Sequence, residues 1–108
     1  MELVINGNLD LQRKIYSEFK QFFEEDKPNC SVISIDNVVR GFSKNYHTEI
    51  ISAEIYVDSR KAGYLKYFLT DDKYEETPFS KRVIIDKNFY STMPKRGQTD
   101  NSRIIFEY

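Results

Sequence analysis

Cysteine and histidine occur once each in this 108-residue chain, at Cys30 and His47, and proline and glycine are also scarce, at three and four. A single cysteine excludes an internal disulfide and points to a reducing compartment, so the cytoplasm is the expected location. With one histidine and one cysteine there is no metal-ligand spacing, and no metal or cofactor is expected. Nucleophilic catalysis would reduce to a Cys30–His47 pair, for which no orienting motif is present. Asp71 and Asp72 are adjacent carboxylates on a polar stretch, a pattern that reads as hydrated loop charge rather than an acid–base pair. No apolar run approaches the ~18 residues of a membrane span, and the opening MELVINGNLD carries no basic leader, so no membrane association is expected. The formal net charge of −1 lacks the basic excess typical of duplex binders and the large acidic excess of a nucleic-acid mimic.

What the chain does have is enough apolar mass for one core. Hydrophobic residues make up 40%, aromatics 15% and charged residues 31%, which argues for a single folded domain spanning residues 1–108 under a heavily solvated surface. Plentiful Lys, Ile, Asn, Tyr and Phe fit an AT-rich bacterial or phage genome by compositional association.

Glu2 to Ile5 reads as a short strand, broken by the turn residues Asn6, Gly7 and Asn8. Leu11, Ile15, Phe19, Phe22 and Phe23 then recur at helical spacing and predict one continuous amphipathic helix, with Asn8 as N-cap, Asp10 favourable in the first turn and Pro28 beyond the end. Glu24, Glu25 and Asp26 would crowd the negative pole of that helix. Ser31 to Ile35 reads as a strand, but Ile35, Val38, Val39 and Phe42 also fit helical spacing, and the alternatives stay open. Glu49 to Asp58 alternates as a half-buried strand, Ser59 to Ala62 turns, and Gly63 to Thr70 forms the next strand. A polar loop from Asp71 to Pro78 precedes strands at Lys81 to Tyr90 and Arg103 to Tyr108. The expected fold is α+β: a mostly antiparallel sheet of about five strands with one N-terminal amphipathic helix on one face.

One helix covers one sheet face. Ile51, Ile55, Val57, Leu65, Leu69, Val83, Ile85, Ile104 and Phe106 are assigned to the covered side. Alternation then sends Tyr56, Tyr64, Phe68, Ile84 and Tyr90 to the other side, among Glu54, Lys66, Arg82 and Asp86. Rings among charges of both signs suit a protein interface or a second copy of the chain, whereas single-stranded nucleic acid would stack on rings flanked by a clear positive majority. Arg60, Lys61, Lys95 and Arg96 are expected to form a basic rim at one end of the sheet, with Asp71, Asp72, Glu75 and Glu76 at the other.

Two short motifs resemble known binding segments only in part. PKRGQTDNS shares an Arg-Gly pair with the pyrophosphate loop of acetyltransferases, but Gly97 is its only glycine and a strand-like terminus follows where a helix should open. RGFSKNYH, from Arg40 to His47, begins like the aromatic strand of RNA-recognition domains and then departs at Ser43, Lys44 and Asn45. The segment STMPKRGQTDNSR is read first as a long hairpin loop and second as a contact loop, through Lys95, Arg96, Gln98 and Arg103.

The expected function is a non-catalytic protein-binding module, a small inhibitor or adaptor encoded by a phage or mobile element and acting on a host enzyme. Single-stranded nucleic-acid binding is the alternative, and a small transferase a second alternative. The candidate binding residues are Tyr56, Tyr64, Lys66, Phe68, Tyr90, Arg60, Lys61, Lys95, Arg96 and Gln98.

Overall fold

A computed structural model describes residues 1–25, 28–45, 47–69, 81–92 and 104–107, with the backbone alone for Glu25, Tyr90 and 104–107. The architecture is α+β. Six strands, β1 (Glu2–Ile5), β2 (Val32–Ser43), β3 (Thr48–Val57), β4 (Arg60–Leu69), β5 (Lys81–Ile85) and β6 (Ile104–Glu107), form one sheet in sequence order. The central pairings β2–β3, β3–β4 and β4–β5 are antiparallel, as the alternating runs and short connections predict. The outer pairs β1–β2 and β5–β6 are parallel. The parallel β6 corrects the expected hairpin between the last two strands; of the loop expected at 91–103, residues 93–103 lie outside the described residues.

The helix α1 (Leu9–Glu18) starts where the Asn8 cap predicts, with the Leu11 amide donating to Asn8 Oδ1 at 2.9 Å and Asp10 in the first turn. It does not continue as one α-helix to Phe23. Phe19 leaves helical geometry at φ −111°, and a π-helical turn follows at Gln21–Glu25. The wider turn accommodates two consecutive rings in the core: Phe22 and Phe23 are both buried, in contact at 5.4 Å between centroids. Ile15, Phe19, Phe22 and Phe23 pack with Ile33, Ile35, Ile51, Ile55, Val57, Leu65, Val83 and Ile85, each buried ring or branched chain contributing about 2 kcal/mol of apolar transfer energy. Ile51, Ile55, Val57, Leu65, Val83 and Ile85 thus occupy the side assigned to them, and Leu69 packs against them half-buried. The register sets Ile104 and Phe106 opposite Lys81 and Val83.

The ambiguous segment is strand throughout β2. Its helical spacing comes from a bulge between Asp36 and Val39, where Asn37 takes φ 50° and an extra residue enters the strand. That insertion returns Val38 to the side of Ile35, so a three-residue spacing arises without a helix. β3 and β4 are joined by Asp58 and Ser59, both at positive φ (46° and 70°), the geometry of a tight two-residue hairpin. The Asp58 carboxylate also accepts the Ser31 and Val32 amides at 3.1 and 2.9 Å, fixing the entry of β2 against that turn. β5 stops at Ile85, five residues short of the expected Tyr90. Asp86 ends it by accepting the Asn88 amide on its side chain and the Phe89 amide on its carbonyl, which starts a 3₁₀ turn at Lys87–Thr92. Phe89 from this turn joins the core, so the turn lies on the same face as α1.

Gly63 sits where β4 passes closest to β5: a Cβ there would lie 1.9 Å from the Ile84 carbonyl oxygen, whereas one on Gly41 would meet nothing within 4 Å. Gly63→Ala should therefore destabilise the fold by about 3 kcal/mol or more through forced backbone displacement, while Gly41→Ala should change stability by less than about 1 kcal/mol. Urea midpoints of the two variants check this, and equal midpoints would contradict the close approach.

Candidate functional site

The face opposite α1 is built by alternation on β3, β4 and β5. Ser52, Glu54 and Tyr56 of β3 stand beside Lys66, Tyr64 and Lys61 of β4, and Tyr64 and Lys66 stand beside Ile84 and Arg82 of β5. A second bulge shapes the centre of this face. Ile55 pairs with Gly63 but Tyr56 pairs with Lys61, leaving Ala62 as the extra residue, turned into the core and fully buried. Lys61 and Tyr64, three positions apart, consequently share the outer face.

Lys61 Nζ lies 2.5 Å from Glu54 Oε2 and 4.6 Å from the centroid of the Tyr64 ring. Glu54 also accepts a hydrogen bond from the Asn37 side chain, which its positive-φ bulge turns toward the carboxylate. Tyr64 is 41% exposed, and Val39, on the same face opposite Ser52, is 56% exposed. The ring stays accessible while the cation beside it is already paired. Bonding to Lys61 and then to Asn37 holds the Glu54 carboxyl below the usual range, and the Glu54 carboxylate followed by Tyr64 holds the Lys61 ammonium well above the usual range.

The predicted site residues divide. Tyr56, Tyr64, Lys61 and Lys66 lie together on the open face, with Tyr56 and Lys66 half-buried. Phe68 is on the same face but only 7% exposed, with the Arg82 guanidinium 5.5 Å from its ring centroid, so it is a packed ring rather than an open contact. Arg60 shares its side with Val57 and stacks 5.0 Å over Phe89, on the α1 side; the expected Arg60–Lys61 rim is therefore split between the two faces by the β4 alternation. Tyr90 falls in the 3₁₀ turn rather than on a strand, so strand alternation does not assign it to a sheet face. Lys95, Arg96 and Gln98, with the expected acidic end at Asp71, Asp72, Glu75 and Glu76, lie outside the described residues.

Glu54 and Asn37 were not among the candidate site residues. Glu54 was legible as a charge on the correct face, but its pairing to Lys61 depends on the Ala62 bulge: Ser59 to Ala62, expected as a turn, is strand from Arg60 onward. Elsewhere, Cys30 and His47 flank opposite ends of β2, roughly 35 Å apart at the rise of an extended strand, so they form no catalytic pair. Burial raises the Cys30 thiol pKa, ahead of the Asp58 charge, which favours the unreactive neutral form. Among the described residues no three metal-ligating side chains cluster, and no helix is long and apolar enough to cross a membrane. No family model matches the chain, and no curated protein or solved structure matches it.

Because Glu54 is depressed, its contribution is present above the unfolded-state carboxyl pKa and is lost as pH falls through the lower folded value; the raised Lys61 contributes below the unfolded lysine pKa and loses that contribution as pH rises through its folded value. Lys61→Met should move the Glu54 titration upward toward the ordinary range, only partly because Asn37 still donates. A carboxyl-carbon NMR titration of both proteins measures the shift, and an unchanged Glu54 midpoint would mean that the pair does not form in solution.

Proposed function

We propose that this chain is a non-catalytic protein-binding module that engages its partner through the open sheet face centred on Tyr64. The reading extends to a small inhibitor or adaptor, encoded by a phage or mobile element and acting on a host enzyme in the cytoplasm. The observation that carries it is the exposure of Tyr64 beside a cation already neutralised by Glu54. An exposed ring on rigid strands loses little entropy on docking, and aromatic anchors of this kind dominate protein interfaces. The Lys61–Glu54 pair keeps the surrounding potential near neutral, which favours a protein surface over a polyanion.

One observation favours a second reading, single-stranded nucleic-acid binding. The Tyr64 ring is open for base stacking, and Lys66 stands two positions along β4 on the same face as a cation for the backbone.

Capture from a bacterial lysate by the immobilised chain, with and without nuclease and at rising salt, separates the readings. A protein partner should survive nuclease, depend little on salt and be lost on Tyr64→Ala by about 2 kcal/mol or more of binding energy. Nucleic-acid binding should vanish with nuclease and fall steeply with salt, and should be weakened more by Lys66→Glu than by Tyr64→Ala. A partner retained equally by wild type and Tyr64→Ala would overturn the proposed docking face.

A further inference from the structure

We infer that the outer edge of β1 pairs with the β1 edge of a second copy of this chain, joining two sheets into one across a twofold axis. β1 stands at one end of the strand order, and the Glu2 and Asn6 amides donate inward to Ser31 and Ile35 carbonyls at 2.8 and 2.9 Å. Alternation therefore directs the N–H and C=O groups of Leu3 and Ile5 outward. Edge strands are ordinarily guarded by lysine, proline, a bulge or a covering element. The ELVI strand is only four residues long and carries the charge of Glu2, but it has neither lysine nor proline, its register with β2 is unbroken, and no other described strand pairs with its outer side.

Beside this edge, on the α1 side, runs an open groove of about 490 Å³ lined by Leu3, Ile5, Leu9, Gln12, Arg13 and Tyr16. Leu9 is 57% exposed and Tyr16 39%, seven positions apart on one stripe of α1. The strand offers main-chain hydrogen bonds and the groove offers apolar area alongside them.

Charge and side-chain complementarity select a second copy as the occupant. In antiparallel pairing centred on Val4, Leu3 faces Ile5 of the other copy, and Glu2 faces Asn6, whose amide donates to Asp36 and retains a second N–H for the incoming carboxylate. No like charges oppose each other along the strand. The same axis turns α1 antiparallel to its mate, Leu9 toward Tyr16 and Gln12 toward Arg13. Gln12 Nε2 donates to the Gly7 carbonyl at 2.8 Å, which leaves Gln12 Oε1 to accept from that arginine. A self-complementary patch of this kind is what a twofold contact requires.

Light scattering of the full chain over a loading series should give twice the 12.8 kDa chain mass. The Val4 side chain lies outside the core cluster and at the twofold centre of the pairing, so Val4→Lys and Val4→Glu should each shift the chain to monomer without changing its circular dichroism. Mixing the two variants should restore the dimer by opposing unlike charges, a result that misfolding could not produce. Leu9→Glu, at an exposed position, should also weaken the dimer. A wild-type chain that stays monomeric at the highest loading, or a dimer that survives both Val4 substitutions, would overturn the proposal. So would a monomeric chain that instead captures an added extended apolar peptide at this edge. Failure here would leave the Tyr64 reading intact, because Tyr64 lies three strands away on the opposite face.

Discussion

The packing of Ile15, Phe19, Phe22 and Phe23 against the isoleucines of β2 and β3 is the contact from which the other features follow. It gathers the largest fully buried side chains on one side of the sheet and supplies the apolar burial that offsets ordering of the chain. The 3₁₀ turn adds Phe89 to the same side. Because these described helical segments gather there, the opposite face is left to side chains that tolerate water: Ser52, Glu54, Lys61, Tyr64 and Lys66. The open face is thus a consequence of how the core is built.

Two bulges convert that bland arrangement into a specific one. At Asn37 the extra residue turns a polar amide outward toward Glu54, and at Ala62 the extra residue turns a methyl inward and frees Lys61 to lie over Tyr64. The cost is a locally interrupted ladder, which bulges commonly exchange for re-aimed side chains. The outcome is a carboxylate, an ammonium, an amide and a ring held together on three adjoining strand segments. Charge elsewhere is likewise organised in contacts rather than broad fields: Lys14, Glu18 and Lys81 form a chain at 3.4 and 3.2 Å beside Tyr67, where the helix meets β4 and β5. Burial, then Glu18, raises the Tyr67 pKa, so the phenol remains neutral there.

Much of this was readable before any coordinates. The Leu11-to-Phe23 stripe located the helical segments and their buried side, Asn8 located their start, and the alternations of 49–58, 63–70 and 81–90 located three strands, the last of them overextended from Ile85 to Tyr90. Local pattern sufficed there because each residue's burial is set by a period of two or 3.6 along its own element. It failed where a residue's position depends on a neighbour. The three-residue spacing of Ile35 and Val38 could be a helix or a bulged strand, and only pairing with β3 distinguishes them. Arg60 and Lys61 look like one basic pair in sequence, yet adjacent strand residues point to opposite faces. Phe68 and Tyr64 look equivalent by alternation, yet one is packed beneath Arg82 and the other is open.

By itself, then, the amino-acid order determined the class of fold, the Asn8 helix cap and the core-facing side of Ile51, Ile55, Val57, Leu65, Val83 and Ile85. Tertiary structure alone decided the parallel outer pairs, the two bulges and the joining of Glu54 to Lys61. The division has a physical reason: periodic burial is encoded in short windows of one segment, whereas register and strand direction are set by hydrogen bonding between segments far apart in the chain, where many pairings satisfy the same local pattern and the whole sheet must choose among them.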